Sequence, residues 1–260
     1  MSETPTAPLE PGSLTGRTAL VTGSSRGIGA ATVALLASAG ANVVVNYRAK
    51  APRAEKVVAA AQEQGVEAIA VQADLTDAAS LTDMFEAARS RFGGIDILVM
   101  NASGGMESGM GEDYAMRLNR DAQVGLLEAA LPVLNDGARV VFVTSHQAHF
   151  INTVPTMEAY EPVARSKRAG EDALRGLIPD LAEKGISLVV VSGDMIEGTV
   201  TATLLDRSTP GAIEARRAEA GKLYSVEEFA EVVAGMATAD VESGHTEYAG
   251  GADYFGKGTN

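Results

Sequence analysis

Cysteine is absent from the 260 residues, which excludes disulfides and thiolate-bound metal and points to a reducing cytoplasm as the natural setting. Long apolar runs are missing too, and none reaches the ~20 residues of a membrane span. Positive charge is in short supply: 21 Lys and Arg stand against 34 Asp and Glu. The resulting net charge of -13 argues against nonspecific nucleic-acid binding and suggests solubility more than any partner. The opening MSETPTAPLEPGS has neither the basic region nor the apolar core of a signal peptide, so residues 1–14 are expected to form a flexible tail. Residues 15–260 suffice for one α/β domain with a substantial core.

What the chain does have is a stretch around which the rest is organised, RTALVTGSSRGIG at 17–29. A short apolar run suited to a buried strand leads into a glycine-rich turn, and helix formers follow from Ala30. Strand, glycine turn and helix in that order is the context of a dinucleotide-binding fingerprint. Gly23 makes the tight turn, Gly27 lets the backbone approach a pyrophosphate, and Gly29 permits close packing of helix on strand. Free N–H groups at the helix start would face the phosphates, with Ser25, Arg26 and Ile28 in the same loop.

Strand and helix patterns then alternate without a linker, as in a doubly wound parallel sheet of Rossmann type. The patterns predict strands at 42–46, 67–71, 95–100, 139–144, 186–192 and 246–248. Helices are predicted at 51–64, 77–92, 114–134, 162–182 and 226–237, with a helix-bearing insertion at 199–221. The second strand ends at Asn46, Tyr47 and Arg48. An acidic residue here suits a free ribose 2′-hydroxyl, whereas arginine suits a 2′-phosphate. Arg26 and Arg48 therefore favour NADP(H), unless both are solvated surface residues.

The TGxxxGxG spacing, rather than GxGxxG, resembles the short-chain dehydrogenase/reductase family, and the resemblance spans 15–253. Such proteins transfer hydride between a nicotinamide and a carbonyl/alcohol pair. The resemblance implies that Asp74-Leu75 borders the adenine, although an aspartate there equally suits a turn or helix cap. Asn101-Ala102-Ser103-Gly104 is similar to the family's NAG segment, with a serine inserted before the glycine. Ser145 corresponds to the serine that binds the substrate oxygen, Asn119 to the asparagine of the proton relay, and Lys167 to the lysine that holds the nicotinamide ribose and assists the tyrosine. After the sixth strand Gly193 is kept, and Thr199, with Thr201 second, matches the threonine that grips the carboxamide.

The tyrosine departs from the pattern. The family's YxxxK would place it at 163, which is Val163, and Tyr160 lies seven residues before Lys167. Residues seven apart on one helix are ~10 Å apart along the axis. Tyr160 is therefore expected ahead of the helix, on an insertion that also offers His146, His149 and Glu158 as rival acids. The implied function is an NADP(H)-dependent ketoreductase for a small carbonyl or alcohol substrate, similar in its cofactor half to 3-oxoacyl-carrier-protein reductases. A carrier-bound acyl group would then meet Arg165 and Arg168. A non-catalytic NADP(H) sensor or scaffold is the alternative. No metal, nucleic acid or membrane is called for. A homo-oligomer, tetramer or dimer, is expected through the helices after the fourth and fifth strands, where Leu126, Leu127, Ala129, Ala130 and Leu131 cluster.

Overall fold

A computed structural model describes residues 8–106, 113–251 and 254. Seven parallel strands form one sheet in the order β3-β2-β1-β4-β5-β6-β7. They are β1 (Thr18–Val21), β2 (Asn42–Tyr47), β3 (Ala68–Gln72), β4 (Ile95–Met100), β5 (Leu134–Ser145), β6 (Ser187–Gly193) and β7 (Thr246–Ala249). Runs such as NVVVNY and SLVVVSG are apolar on both faces because helices cover both sides.

On one face lie α1 (Gly27–Ser38) and α2 (Ala51–Gln62). The other carries α3 (Ala78–Phe92), then α4 (Tyr114–Met116) and α5 (Ala122–Ala130). α6 (His146–His149) follows the carboxyl end of β5, and α7 (Glu161–Gly176) and α8 (Ile178–Ala182) complete this second face, with Leu174 and Leu181 in its core. The insertion folds as α9 (Val200–Ser208) and α10 (Ala212–Ala220), and α11 (Val226–Gly235) returns to pack on α1. One core, with Leu36 and Val233, fills the α1/α11 side; a second, with Met84, Leu126 and Leu174, fills the opposite side. A third, smaller cluster lies between Tyr160, Met195, Leu205 and Leu223.

Several sequence expectations change. Residues 1–7 of the expected tail lie outside the described residues, whereas Leu14 is buried and its N–H donates to the Ala39 carbonyl. The helix predicted over 114–134 is broken by a π turn, Arg117–Asp121, and ends at Ala130; β5 begins at Leu134. Leu126, Leu127 and Ala130 are inside the chain's own core, so they supply no surplus surface for a partner. The expected oligomer therefore rests on the family resemblance alone. Among the described residues Val200, at the start of α9, is the large apolar side chain left exposed, at 46%. No described helix is long and apolar enough to cross a membrane.

Candidate active site

The loop between β1 and α1 is fixed from beneath by side chains of the neighbouring strands. Asn46 accepts from the Gly23 N–H at 3.0 Å through its side chain and from the Ser24 N–H at 2.9 Å through its carbonyl. Thr22 Oγ1 accepts from the N–H groups of Asn101 and Ala102 at 3.0 and 3.1 Å, and Asn101 donates from Nδ2 to the Thr22 carbonyl. Gly23 and Gly27 have φ of 63° and 56°, the left-handed region that side chains disfavour. A Cβ at Gly29 would lie 2.8 Å from Ser24 Cα and 2.9 Å from the Gly23 carbonyl oxygen, so this glycine is required by packing. Asn46 and Asn101 thus act chiefly as struts that shape the turn.

The turn opens on a cleft of about 680 Å³ along the carboxyl ends of the strands. Ser25, Arg26, Gly27 and Ile28 line it at one end, with Tyr47, Arg48, Asp74 and Leu75. α1 starts there with no side-chain N-cap, which leaves its first N–H groups for an anion. Arg48 donates to the Tyr114 hydroxyl at 2.6 Å, which aims the guanidinium across the cleft mouth. Lys50 and Arg53 line the same end, giving four cationic side chains. The Asp74 carboxylate accepts from the Thr76 N–H at 2.9 Å and hydroxyl at 2.7 Å, the turn role left open by its sequence.

Toward the other end stand Ala102, Ser103, Ser145, Tyr160, Lys167 and Thr199. Ser145 closes β5 and caps α6, accepting from the Ala148 N–H at 3.3 Å. Its hydroxyl lies 3.3 Å from the Tyr160 hydroxyl. Tyr160 ends a 3₁₀ turn, Glu158–Tyr160, that runs directly into α7, so it sits one tight turn ahead of the helix rather than on a free loop. The ring is 3% exposed among Val163, Ala164 and Met195, while the hydroxyl reaches the cleft. Lys167 is 8% exposed, lines the cleft, and has no hydrogen-bond or ion-pair partner among the described residues. A buried ammonium of that kind is costly unless a ligand meets it.

Asn119 is brought close but does not line the cleft. Within the π turn, a device common at functional sites, its amide donates to the Gly104 carbonyl at 2.8 Å and to Ser166 Oγ at 2.9 Å. It also accepts from the Gly104 N–H at 3.2 Å, so its side chain ties the 101–104 segment to α7. The Asn119 carbonyl oxygen is 1.9 Å from where a Cβ on Gly170 would stand. Gly170→Ala must separate α7 from this turn; we expect a loss of about 3 kcal/mol in chemical denaturation, toward the upper end for overpacking a core. A loss within 0.5 kcal/mol would show that the two helices are not held this tightly.

Comparison with known proteins places this geometry in context. Residues 17–208 match the family described as short chain dehydrogenase. The chain belongs to that family. It is 38% identical over 194 residues to the short chain dehydrogenase/reductase AacuN of Aspergillus aculeatus, covering 72% of this chain and 71% of that protein. Among solved structures, a short chain dehydrogenase from Burkholderia cenocepacia in complex with NADP superposes with a TM-score of 0.77 at 30% identity, covering 91% of this chain and 97% of the other. The angucycline C-6 ketoreductase LanV with bound NADP gives 0.76 at 29%, covering 93% and 97%.

For a short chain dehydrogenase, not every expected residue serves the cleft alone. Gly193 does not line it; a Cβ there would lie 2.4 Å from the Phe229 ring, which makes it a packing glycine under α11. Thr199 does line it, yet its hydroxyl caps α9, accepting from Ala202 N–H at 3.2 Å and donating to the Ile196 carbonyl at 2.8 Å. Arg165 pairs with Glu161 on the exposed face of α7, and Arg168 binds Asp172 and the His149 carbonyl. Asp194, at the end of β6, lines the cleft but is clamped by Arg216 of α10 at 2.8 Å, which fastens the insertion over the site. Tyr114, Lys50, Arg53 and Gln147 also line the cleft, and the basic run RAKAPR at 48–53 is the one local pattern in the sequence that marks any of them.

The rival acids also fall elsewhere. His146 is fully buried, bonded through Nδ1 to Ser192 Oγ at 2.8 Å and through Nε2 to the Gly250 carbonyl at 3.0 Å. His149 bridges Glu171 at 2.9 Å and the Tyr248 hydroxyl at 3.0 Å. Neither histidine, nor Glu158, lines the cleft. Burial pushes the His146 imidazole down from its usual range, with His149 and Arg216 adding to the effect against Gly250 and Asp194. The folded chain therefore holds fewer protons than the unfolded one below about pH 6.5, and stability falls as pH drops through that range. Glu171 is held low despite burial by His149 and Arg175, so its contribution is lost only at more acid pH. Melting curves at pH 7.5 and 5.5 should show a drop in Tm that His146→Gln reduces. An unchanged drop in the variant would assign it to other groups.

Proposed function

We propose that this short chain dehydrogenase is an NADP(H)-dependent reductase of an apolar ketone. The single observation that carries this reading is the Tyr160 hydroxyl 3.3 Å from Ser145 Oγ, in a cleft that also holds Lys167, which has no partner among the described residues. The residues fit the cofactor. A Cβ at Gly27 would meet nothing within 4 Å, so the cleft approaches the bare backbone there. The uncapped start of α1 suits a pyrophosphate, and Arg26 and Arg48, with Lys50 and Arg53 beside them, suit a 2′-phosphate.

When bound, the nicotinamide supplies the hydride that adds to the carbonyl carbon. Ser145 Oγ donates a hydrogen bond to the carbonyl oxygen and fixes its direction. The Tyr160 hydroxyl gives that oxygen its proton, completing the alcohol. Lys167 stabilises the negative charge left on the phenolic oxygen and offers donors to the ribose. Asn119 acts as a positioning residue by holding 101–104 against α7.

NADPH oxidation in the presence of bicyclic ketones and 3-oxoacyl thioesters tests the reading. Consumption with the ketones is expected. Turnover of thioesters instead would favour the 3-oxoacyl reductase reading, and tight NADPH binding without consumption would favour the non-catalytic sensor.

A further inference from the structure

Gln147 is the second residue of α6 and follows Ser145 by two positions. It is 7% exposed and lines the cleft beside Ser145 and Tyr160. Its carboxamide has no hydrogen-bond partner among the described residues. Nor is it one of the sealed polar atoms without partners, such as Gln123 Oε1 or Thr144 Oγ1, so its remaining exposure is toward the cleft. Both neighbours in the chain are spoken for: His146 by Ser192 and Gly250, Ala148 by its N–H to Ser145. A carboxamide held in an apolar setting without a partner costs free energy that a ligand can recover.

The surroundings say what kind of ligand. Met195, Ile196, Ala202 and Leu205 line the same region, an apolar wall supplied by the end of β6 and by α9. Cα atoms two positions apart lie within about 7.6 Å of each other, so a ligand held at Ser145 is also within reach of the Gln147 side chain. Resting on the reductase reading above, we infer that the substrate is a largely apolar ketone carrying a second oxygen function, a hydroxyl or carbonyl, which Gln147 binds. A carboxamide both donates and accepts, so it serves either group.

The test measures equilibrium binding to the protein loaded with NADP⁺, where no ketone can be reduced. 1-Tetralone and 5-hydroxy-1-tetralone, whose phenol has no carbinol hydride to give to NADP⁺, are titrated by calorimetry into the wild type, Gln147→Leu and Gln147→Met, each checked for an unchanged melting profile. One neutral hydrogen bond is worth up to about tenfold in affinity. The wild type should prefer the hydroxylated ketone by five- to tenfold, and both variants should lose that preference while binding 1-tetralone as well or better. Equal wild-type affinities, or a preference that survives in both variants, would overturn the role of Gln147. Failure of either ketone to bind a protein that holds NADP⁺ counts against the reductase reading itself and removes the inference with it.

Discussion

Tyr160→Phe should lower kcat by about 10²- to 10⁴-fold, the range for removing a positioned general acid, while NADPH binds as before. The ring is packed against Val163, Ala164 and Met195, and phenylalanine keeps those contacts. The lost atom is the hydroxyl that faces Ser145. A stability change of more than about 1 kcal/mol is not expected, since one exposed-side hydrogen bond is removed and no cavity is made. Lys167→Ala should differ in kind, harming turnover and cofactor affinity together, because the side chain lines the cleft with no partner among the described residues. His146→Ala is the control. Its imidazole is enclosed by Ser192 and Gly250 away from the cleft, so it should reduce stability and leave kcat within a few-fold. Near-normal turnover in Tyr160→Phe would remove the proposed acid.

Replacing Arg26 and Arg48 together by serine should weaken NADPH far more than NADH. A hydrogen bond to a charged group is worth about 1.5–3 kcal/mol, so each arginine stands for roughly 10- to 100-fold in NADPH affinity. NADH lacks the 2′-phosphate and should change by only a few-fold. The two arginines differ in how they are held. Arg48 is braced by the Tyr114 hydroxyl at 2.6 Å, whereas Arg26 stands exposed at the N-cap of α1. Arg48→Ser is therefore expected to be the more damaging single change. Fluorescence titration of both cofactors decides the matter, and equal losses for NADPH and NADH would end the assignment of these arginines to the 2′-phosphate.

What could be read in the sequence follows from the range of the forces involved. The glycine turn, the apolar strands and the order of elements are local, and TGSSRGIG between an apolar run and helix formers carries them directly. Displacement of the tyrosine was legible as well, because Val163 occupies the usual position. Its solution was only half legible. Spacing alone indicates that Tyr160 precedes the lysine helix, but the 3₁₀ turn that delivers its hydroxyl to Ser145 depends on packing against Met195 and Leu205. The π turn at Asn119 is similar: asparagine within a helix signalled something unusual, while the close approach of Gly170 that goes with it lies on another helix. His146 was illegible as a core residue. Its partners are 46 and 104 residues away, and no local pattern announces them. Asp74, for which the sequence leaves two roles open, holds the turn through Thr76 and also lines the cleft.

The most direct measurement follows the hydride and the acid together. NADPH carrying deuterium at both C4 positions is supplied with 1-tetralone to the wild type and to Tyr160→Phe, and the alcohol is analysed by mass spectrometry. The wild type should yield tetralol with one deuterium at the carbinol carbon, and the variant should yield at most about one hundredth as much in the same time. Bound NADPH that transfers no deuterium to any ketone, or equal labelled product from wild type and variant, would contradict a reductase working through Tyr160.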